Sequence, residues 1–434
     1  MKKEKSTLAS KFKSLFSGND DKKAPETAKK AKSKKKYTES CLKSIREYTV
    51  RYPGFDIVER PTPRIECEYQ NRYFLRKDGY YQLNDQSNIG TADLMFTGDL
   101  MCRAGQQTTA LEKHGEYRFD ESYSYVKVIF HKQDLVMGNL ETTLCARAPY
   151  MSEKKSADGR PNDNAPATYL AALRYAGFDA LAMANNHNCD TGVYGILDTI
   201  DNVESYEFVH TGTFARKGEQ RFVLVEVNGI KLAFISFATY YNAKDKNFTE
   251  EGQKVLLNKY STFRVKRYVE QARKLGAEFV IAYIHWGKEF THELTEMQEK
   301  RARYMAEQGV DYIIGSHPHA LQRYDVIETE DGRRVPVYYS LGNFVSNMPK
   351  EITKDTAIVK VKLGRGEDGK VRIMDEAYIP CHIFRNYGEA DHVTVPLVKQ
   401  NMDSENSEFF TEGVERIKEV MGDKVRLITD LENM

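Results

Sequence analysis

The stretch "TEMQEKRARYMAEQGVDYIIGSHPH" (residues 295–319) decides the fold class, because it predicts a helix, a buried strand and a polar loop in direct succession. The helical segment ends at Gly309, a residue type that commonly terminates helices. The apolar run that follows is short enough for a strand, and it stops at His317 and His319. A helix that leads directly into a buried strand is typical of layered α/β proteins.

The same order of elements recurs along the chain. Residues 169–188 and 261–289 each predict a helix, a turn, a strand and a loop. Further strands that run into turns are predicted at 92–99, 133–141 and 335–344. Hairpins are predicted around Asn228-Gly229 and over residues 356–384, and a C-terminal helix over 406–421. The fold class is therefore α/β, and in such sheets ligands bind beyond the carboxyl ends of the strands.

Residue types that bind metal ions gather in five of these strand-end loops. They are Asp99; Asn139 and Glu141; Asn185, Asn186 and His187; His285; and His317 with His319. Each also has a structural interpretation, because an Asp can cap a helix, Asn favours turns, and a single His at a strand end is more often structural. Four of the ten histidines of the chain nevertheless lie in these loops. Five such loops together favour one shared metal site.

The residue types also indicate the metal chemistry. Carboxylates, amide oxygens and imidazoles without a thiolate cluster suit Mn, Fe or Zn. A structural zinc site would be closed and usually rich in Cys, whereas an open, mixed site suits two-metal hydrolysis with ions about 3.5–4 Å apart. Glu141 is the natural bridge between two ions. Arg103 lies close to Asp99 in the sequence and is a candidate for binding an anionic group of the substrate.

The charge of the chain is unevenly distributed. Residues 1–36 hold 13 Lys and four acidic residues, a net charge of +9, which leaves −8 for the rest of a chain whose total is +1. An acidic body argues against nucleic acid as a partner. The expected partner is an anionic small molecule or polymer bound at the metal site.

The N-terminal region predicts an appendage to the main domain. Residues 1–44 predict a basic disordered tail. Within the tail, Leu8, Phe12, Leu15 and Phe16 share one helical face, which predicts either a short helix that contacts a membrane surface or a frayed tail. Residues 45–92 are expected to pack on the core as an extension.

The sequence also bears on location. No apolar run reaches the roughly 18–20 residues of a membrane span, and no secretory signal is recognisable. The six Cys form no CxxC pair, which is typical of a reducing compartment. The expected location is cytoplasmic, with attachment to the inner membrane face if the tail binds anionic lipid.

Six motifs occur in an order that resembles the CapA family of poly-γ-glutamate capsule biosynthesis proteins, a branch of the calcineurin-like metallophosphatase superfamily. The motifs are "GDLM" (98–101), "GNLET" (138–142), "NNHNCDTG" (185–192), "IHWGKE" (284–289), "GSHPHALQ" (315–322) and "SLGNF" (340–344). The resemblance covers about 93 to 350. It implies a CapA-like domain over 93–390, followed by a helical extension over 391–434.

The resemblance also implies a fold and a set of roles. The fold would be a four-layer α/β/β/α sandwich with the site at the carboxyl ends of the strands. The implied metal ligands are Asp99, Glu141, Asn186, His285, His317 and His319. His187 would assist the leaving group, Asn185 is an alternative to Asn186, and Asn343 would help to close the site.

One position departs from the wider superfamily. Met101 stands where other members have the His of an Asp-x-His motif, so one or two ions are expected. The implied function is a metal-dependent hydrolase of a phosphoester or related bond, linked to poly-γ-glutamate, capsule or envelope polymer metabolism. His187, Asn185 and Arg103 are its candidate catalytic residues. The alternative is a non-catalytic accessory or scaffold protein in capsule synthesis.

Overall fold

The architecture comes from a computed structural model that describes residues 60–66, 71–153 and 162–434. The predicted basic tail, its short helix and residues 45–59 of the predicted extension lie outside the described residues. Among the described helices, none is both long and apolar enough to cross a membrane.

The described residues form seventeen strands that belong to two sheets. They are β1 (Tyr73–Leu75), β2 (Tyr80–Leu83), β3 (Thr91–Leu100), β4 (Leu135–Leu140), β5 (Ala180–Ala182), β6 (Val209–Thr211), β7 (Val223–Val227), β8 (Ile230–Ala238), β9 (Phe279–His285), β10 (Tyr312–Ser316), β11 (Leu321–Glu328), β12 (Arg334–Leu341), β13 (Asn343–Val345), β14 (Asp355–Arg365), β15 (Val371–Tyr387), β16 (Ala390–Pro396) and β17 (Arg426–Leu427). The first sheet has the order β1-β2-β7-β8-β9-β10-β12-β11, and β8, β9, β10 and β12 run parallel.

The second sheet has the order β16-β15-β14-β3-β4-β5-β6, with β13 paired to β3 and β17 to β15. Its strands β3, β4, β5 and β6 are parallel, whereas β14 to β16 form an antiparallel meander. The sheet continues to Pro396, and β1 and β2 join the edge of the first sheet. The regions on either side of the predicted 93–390 domain therefore contribute strands to the same two sheets.

Eight α-helices accompany the strands in the described part of the chain. They are α1 (Ala104–His114), α2 (Lys127–Phe130), α3 (Tyr169–Ala176), α4 (Gly192–Ser205), α5 (Glu250–Leu256), α6 (Thr262–Lys274), α7 (Glu296–Glu307) and α8 (Ser407–Met421). The helix predicted over 406–421 is confirmed as α8. Thr295 caps α7, because its side chain accepts from the Gln298 amide while the Gln298 side chain accepts from the Thr295 amide.

Successive side chains of the central strands point to opposite faces of the sheet, and this alternation produces the layers. In β9, Ile281 and Tyr283 face the second sheet in one buried cluster, whereas Val280, Ala282 and Ile284 pack under the helices α6 and α7 in another. On the outer side of the second sheet, the rings of Phe130, Phe178 and Phe344 meet at 5.1–6.0 Å between the helices α2 and α3 and the strand β13. The four-layer α/β/β/α sandwich is confirmed.

Two predicted turns are also confirmed. Asn228 and Gly229 both adopt positive φ, as a tight hairpin turn requires, and they join the antiparallel strands β7 and β8. The strands β14 and β15 form the closing hairpin. The strands β3, β4, β5, β9 and β10 all end on one edge of the sandwich, where the ligand-bearing loops follow them.

Candidate metal centre

The parallel register places the predicted ligands side by side. Asp99 in β3 lies opposite Asn139 in β4, and His285 in β9 lies opposite Ser316 in β10. The structure brings together Asp99, Glu141, Asn186, His285, His317 and His319, here called the metal-ligand cluster. All six residues are buried.

Glu141 occupies the middle of this cluster. Its side chain is 0% exposed, and no hydrogen-bond donor of the described residues reaches either carboxylate oxygen. Imidazoles surround it, with Nε2 of His285 at 3.3 Å, Nε2 of His187 at 3.9 Å and Nε2 of His319 at 4.0 Å from Oε1. Burial raises the pKa of Glu141 to about 8. A buried carboxylate without donors is costly unless a cation compensates it.

Asp99 differs from Glu141 because the protein supplies donors to it. Its Oδ1 accepts from the Asn139 side chain at 2.7 Å, and its Oδ2 accepts from the backbone amide of His317 at 3.2 Å. Nδ1 of His319 lies 3.6 Å from Oδ2. Burial, and then the nearby Glu141 carboxyl, raise the pKa of Asp99 well above its usual range. Asp99 thus places a second buried carboxylate close to that of Glu141.

The three histidines of the cluster are neutral at physiological pH. Burial lowers the pKa of His285 to about 3 and holds the pKa values of His317 and His319 well below the usual range. Nδ1 of His285 forms a hydrogen bond with Ser316 Oγ at 2.9 Å, and Nδ1 of His319 forms one with Asn343 Oδ1 at 2.9 Å. Because the Nδ1 atoms are occupied, the Nε2 atoms of both rings face the cluster as ligand atoms.

The backbone of the "HPH" segment explains how two histidines with one residue between them meet. His317 has φ 99° and His319 has φ 55°, both in the left-handed region that disfavours side chains with a Cβ. The ring centroids lie 5.8 Å apart, whereas an extended segment would point the two side chains to opposite faces. Asp99 helps to hold this loop through the His317 amide. Backbone strain of this kind collects at functional sites.

The Asn185–Asn186 doublet separates into two different positions. The Asn186 side-chain oxygen lies 2.8 Å from Nε2 of His285, inside the cluster. The Asn185 side chain instead donates to the Leu140 carbonyl at 2.7 Å and accepts from the His187 amide at 3.1 Å. Asn185 therefore joins two loops of the site, and Asn186 is the better placed of the two as a ligand.

His187 lies at the border of the cluster between two aspartates. Its Nδ1 is 2.8 Å from Asp190 Oδ2, and its Nε2 is 3.3 Å from Asp163 Oδ2. Burial alone would lower the pKa of His187, but Asp190 and Asp163 raise it to about 9. Lys244 balances the charge by approaching Asp190 Oδ1 at 2.8 Å. The two aspartates thus favour the protonated form of the His187 ring, 3.9 Å from Glu141.

Arg103 belongs to the same border. It stands at the N-cap of α1, and its Nη1 lies 3.3 Å from Asp163 Oδ2. Asp163 is buried, and its Oδ1 has no hydrogen-bond partner among the described residues. Arg103 thus contacts the site through Asp163, which belongs to none of the six sequence motifs. The only sequence indication of Asp163 was the polar run "NDN" (162–164).

Asp190 and the loop after β8 also contribute side chains to the site. Asp190 follows His187 by three residues within the quoted "NNHNCDTG" motif, but the spacing alone did not distinguish it. The loop after β8 also reaches the site, since the Tyr240 hydroxyl contacts the His317 ring and the Asn242 side-chain oxygen lies 3.3 Å from Asn186 Nδ2. Strand-end loops thus supply both the cluster and its border.

In the part of the chain that the structure describes, three sets of side chains have ligand atoms close enough to hold an ion. Within each set these atoms lie within 4.8 Å of one another. The sets are Glu141, His285 and His317; Asp99, Glu141 and His319; and Glu289, His317 and His319. Glu141 is shared by the first two sets, which is the position of a bridging ligand between two ions.

Two curated proteins are similar to this chain in sequence. Capsule biosynthesis protein CapA of Bacillus anthracis is 29% identical over 290 residues, which cover 66% of this chain and 66% of that protein. PGA biosynthesis protein CapA of Bacillus subtilis (strain 168) is 28% identical over 280 residues, 64% of this chain and 69% of that protein. The similarity thus spans about two thirds of each relative.

Solved structures include more distant neighbours. The calcineurin-like phosphoesterase YfkN of Bacillus subtilis is 13% identical with a TM-score of 0.41, over 76% of this chain and 97% of that chain. The NAD nucleotidase NadN of Haemophilus influenzae is 10% identical with a TM-score of 0.41, over 78% of this chain and 57% of that chain.

The family comparison covers the region that carries the site. The model described as "Bacterial capsule synthesis protein PGA_cap" matches residues 93–348, more than half of the chain. This range runs from the start of β3 past β13 and contains every member of the metal-ligand cluster. The chain therefore belongs to the PGA_cap family of bacterial capsule synthesis proteins.

Proposed function

We propose that this protein is a metal-dependent hydrolase that acts on a phosphoester or related bond in the metabolism of poly-γ-glutamate, capsule or another envelope polymer. The observation that carries the proposal is the Glu141 carboxylate, which is fully buried, accepts no hydrogen bond from the described residues and is surrounded by three imidazoles. A structural carboxylate would be expected to have donors, because leaving one unpaired costs about 1–3 kcal/mol or more.

The donor set fits a divalent metal ion. Neutral imidazoles and carboxylates are the forms that bind a metal, and the low pKa values of His285, His317 and His319 keep these rings neutral. Asp99, Glu141, Asn186 and the three histidines would hold one or two ions of Mn, Fe or Zn. Such ions activate water and stabilise the negative charge that develops on the reacting group.

The border residues would perform the proton transfer. His187 is held in the protonated form by Asp190 and Asp163 and lies 3.9 Å from Glu141, so it can donate a proton to a leaving group at the cluster. Arg103 would orient an anionic group of the substrate, and Asn185 would keep the His187 loop in place.

The substrate class follows from the family and from the residues at the border of the site. The two relatives are described as capsule and PGA biosynthesis proteins, which supports an envelope polymer or a small anionic precursor as the substrate. Arg103 would favour an anionic substrate over a neutral one.

The deciding experiment measures metal content by elemental analysis together with turnover of p-nitrophenyl phosphate and bis-p-nitrophenyl phosphate. A His317→Ala, His319→Ala variant is expected to lose both the metal and the turnover. A matched His114→Ala, His131→Ala variant should keep both, because these histidines lie at the end of α1 and just after α2. A wild-type protein that binds no metal and turns over neither ester after addition of Mn, Fe and Zn would favour the accessory role instead.

A further inference from the structure

An open groove of about 830 Å³ lies beside α6, on the outer side of the first sheet. Among the described residues, the lining holds the cations Arg221, Lys254, Arg264, Arg267 and Lys274 and one carboxylate, that of Glu219. A second carboxylate, that of Glu250, lies 3.7 Å from Lys254. We call this feature the basic groove. Its strong positive charge contrasts with the net charge of −8 that the chain carries outside residues 1–36.

The groove has one wall on α6. Arg264, Arg267, Gln271 and Lys274 recur at intervals of three and four residues, so they form one stripe along the helix. Arg267 and Lys274 are exposed, and no carboxylate of the described residues forms an ion pair with either. The stripe therefore presents cations whose charge is not already neutralised.

The opposite wall of the groove contains Arg221, whose guanidinium group is fixed in position by its contacts. The Arg221 guanidinium donates to the carbonyl oxygens of Val255 at 2.8 Å and Lys254 at 2.9 Å, and it packs over the Phe214 ring at 4.3 Å. Burial, and also the nearby Arg264 charge, lower the pKa of Arg221. Like charges are thus held close together, which an anionic ligand would relieve.

Apolar side chains lie at both ends of the stripe. Phe263, near the start of α6, is 68% exposed, and Leu275, just after its end, is 50% exposed. A helix of thirteen residues is about 20 Å long. The groove thus offers two apolar contacts with a row of cations between them, which suits an extended chain better than a single small anion.

The spacing of the charges selects the chemical class of that chain. Helix positions three or four residues apart place Cβ atoms about 5–6 Å apart. The cations Arg264, Arg267 and Lys274 are three and seven residues apart, or about 4.5 and 10.5 Å along the helix axis. An extended polypeptide, whose side chains on one face recur at about 7 Å, has a charge density of this order, whereas a DNA duplex carries one charge per roughly 1.7 Å.

We propose that the basic groove is a second binding site, separate from the metal centre, for an extended polymer rich in carboxylates, of the acidic polypeptide class. Carboxylates would pair with Arg264, Arg267 and Lys274, and the aliphatic parts of the polymer would pack on Phe263 and Leu275. The site would hold such a polymer on the enzyme whether or not the metal centre turns it over.

The test uses the full chain and a fluorescein-labelled decamer of L-glutamate. The Arg267→Gln, Lys274→Gln variant should bind the decamer about tenfold more weakly than the wild type at low salt. The control, Lys266→Gln, Lys300→Gln, has the same net charge, and both of its lysines are exposed outside the groove. It should retain binding within about twofold, since each variant keeps the basic N-terminal tail.

Hydrogen exchange locates the contact independently. The decamer should protect residues 262–275 in the wild type, and EDTA should leave this protection unchanged, so a failed hydrolase assay would not affect the result. Equal loss of binding in both variants would overturn the proposal, as would protection elsewhere in the chain. Tighter binding to phosphatidylglycerol vesicles or to a 20-nucleotide single-stranded DNA at the same salt would also overturn it.

Discussion

Two glutamates at opposite ends of the same pair of sheets have contrasting surroundings. Glu141 follows the carboxyl end of β4, whereas Glu376 lies in β15 opposite Val361, which pairs with Leu94 near the start of β3. Tyr312 and Tyr338 donate to Glu376 Oε1 at 2.6 and 3.0 Å, and Tyr324 donates to Oε2 at 2.9 Å. No donor of the described residues reaches Glu141.

The difference is the one expected between a structural carboxylate and the metal ligand that we propose. Burial raises the pKa of both residues, but three tyrosine hydroxyls oppose the effect at Glu376, whereas burial takes the pKa of Glu141 to about 8. The protein thus supplies hydrogen-bond donors to Glu376, whereas none of the described residues supplies one to Glu141, as expected if a metal ion compensates its charge. Four experiments can break or sharpen this contrast.

The largest effect is expected for Glu141→Gln. The amide keeps the shape of the side chain but removes the negative charge shared by two of the candidate ion positions. Metal content should fall, and turnover should fall by more than the roughly 100- to 10,000-fold that a lost general acid costs. Elemental analysis and the phosphoester assay measure both, with Glu376→Gln as the control. Retention of metal and turnover would show that Glu141 is not a ligand.

His187→Gln should have the next largest effect. The side chain leaves the metal-ligand cluster intact but cannot deliver a proton from between Asp190 and Asp163. Turnover should fall by about 100- to 10,000-fold while metal content stays at the wild-type value. If the variant loses metal instead, His187 acts as a ligand and its proposed acid role is wrong.

Glu376→Ala should act on stability alone. It leaves the hydroxyls of Tyr312, Tyr324 and Tyr338 without their acceptor, so the free energy of unfolding should fall by about 1–3 kcal/mol. Denaturant unfolding measures this change. Metal content and turnover at a temperature where the variant is folded should stay unchanged, and a loss of metal would contradict the structural assignment of Glu376.

The last experiment concerns pH and requires no substitution. Glu141 must lose a proton to bind a metal, and its pKa of about 8 means that protons compete with the metal below that pH. The metal affinity should therefore rise with pH between about 5 and 8, by up to tenfold per pH unit for each ligand carboxyl that must lose a proton. The raised pKa of Asp99 adds to the slope that Glu141 produces. His285 has a pKa of about 3 and adds no dependence in this range.

Isothermal titration at several pH values measures the slope. Glu376→Gln should keep the wild-type slope, because its carboxyl is not a ligand. A wild-type affinity that does not change between pH 5 and 8 would mean that Glu141 is already ionised without the metal.

The two glutamates also show the reach of sequence reasoning. Glu141 was selected because it follows a predicted strand and belongs to a family motif. Glu376 was not selected, since its three tyrosine partners come from strands of the other sheet and no local pattern links them. The sequence also does not decide which residue of the Asn185–Asn186 doublet is the ligand. The answer depends on the loop backbone and on the distant Leu140 carbonyl, which accepts a hydrogen bond from the Asn185 side chain.

The sequence by itself determined the succession of helices and strands, the hairpin turns and the loops that carry Asp99, Glu141, His285, His317 and His319, because hydrophobic period and turn residues act over short distances. Only the tertiary structure decided that Asp163 and Asp190 enclose His187, that the rings of the "HPH" segment converge, and that no described residue donates a hydrogen bond to Glu141. Those features depend on sheet register and on which loops pack together, and residues far apart in the chain set both.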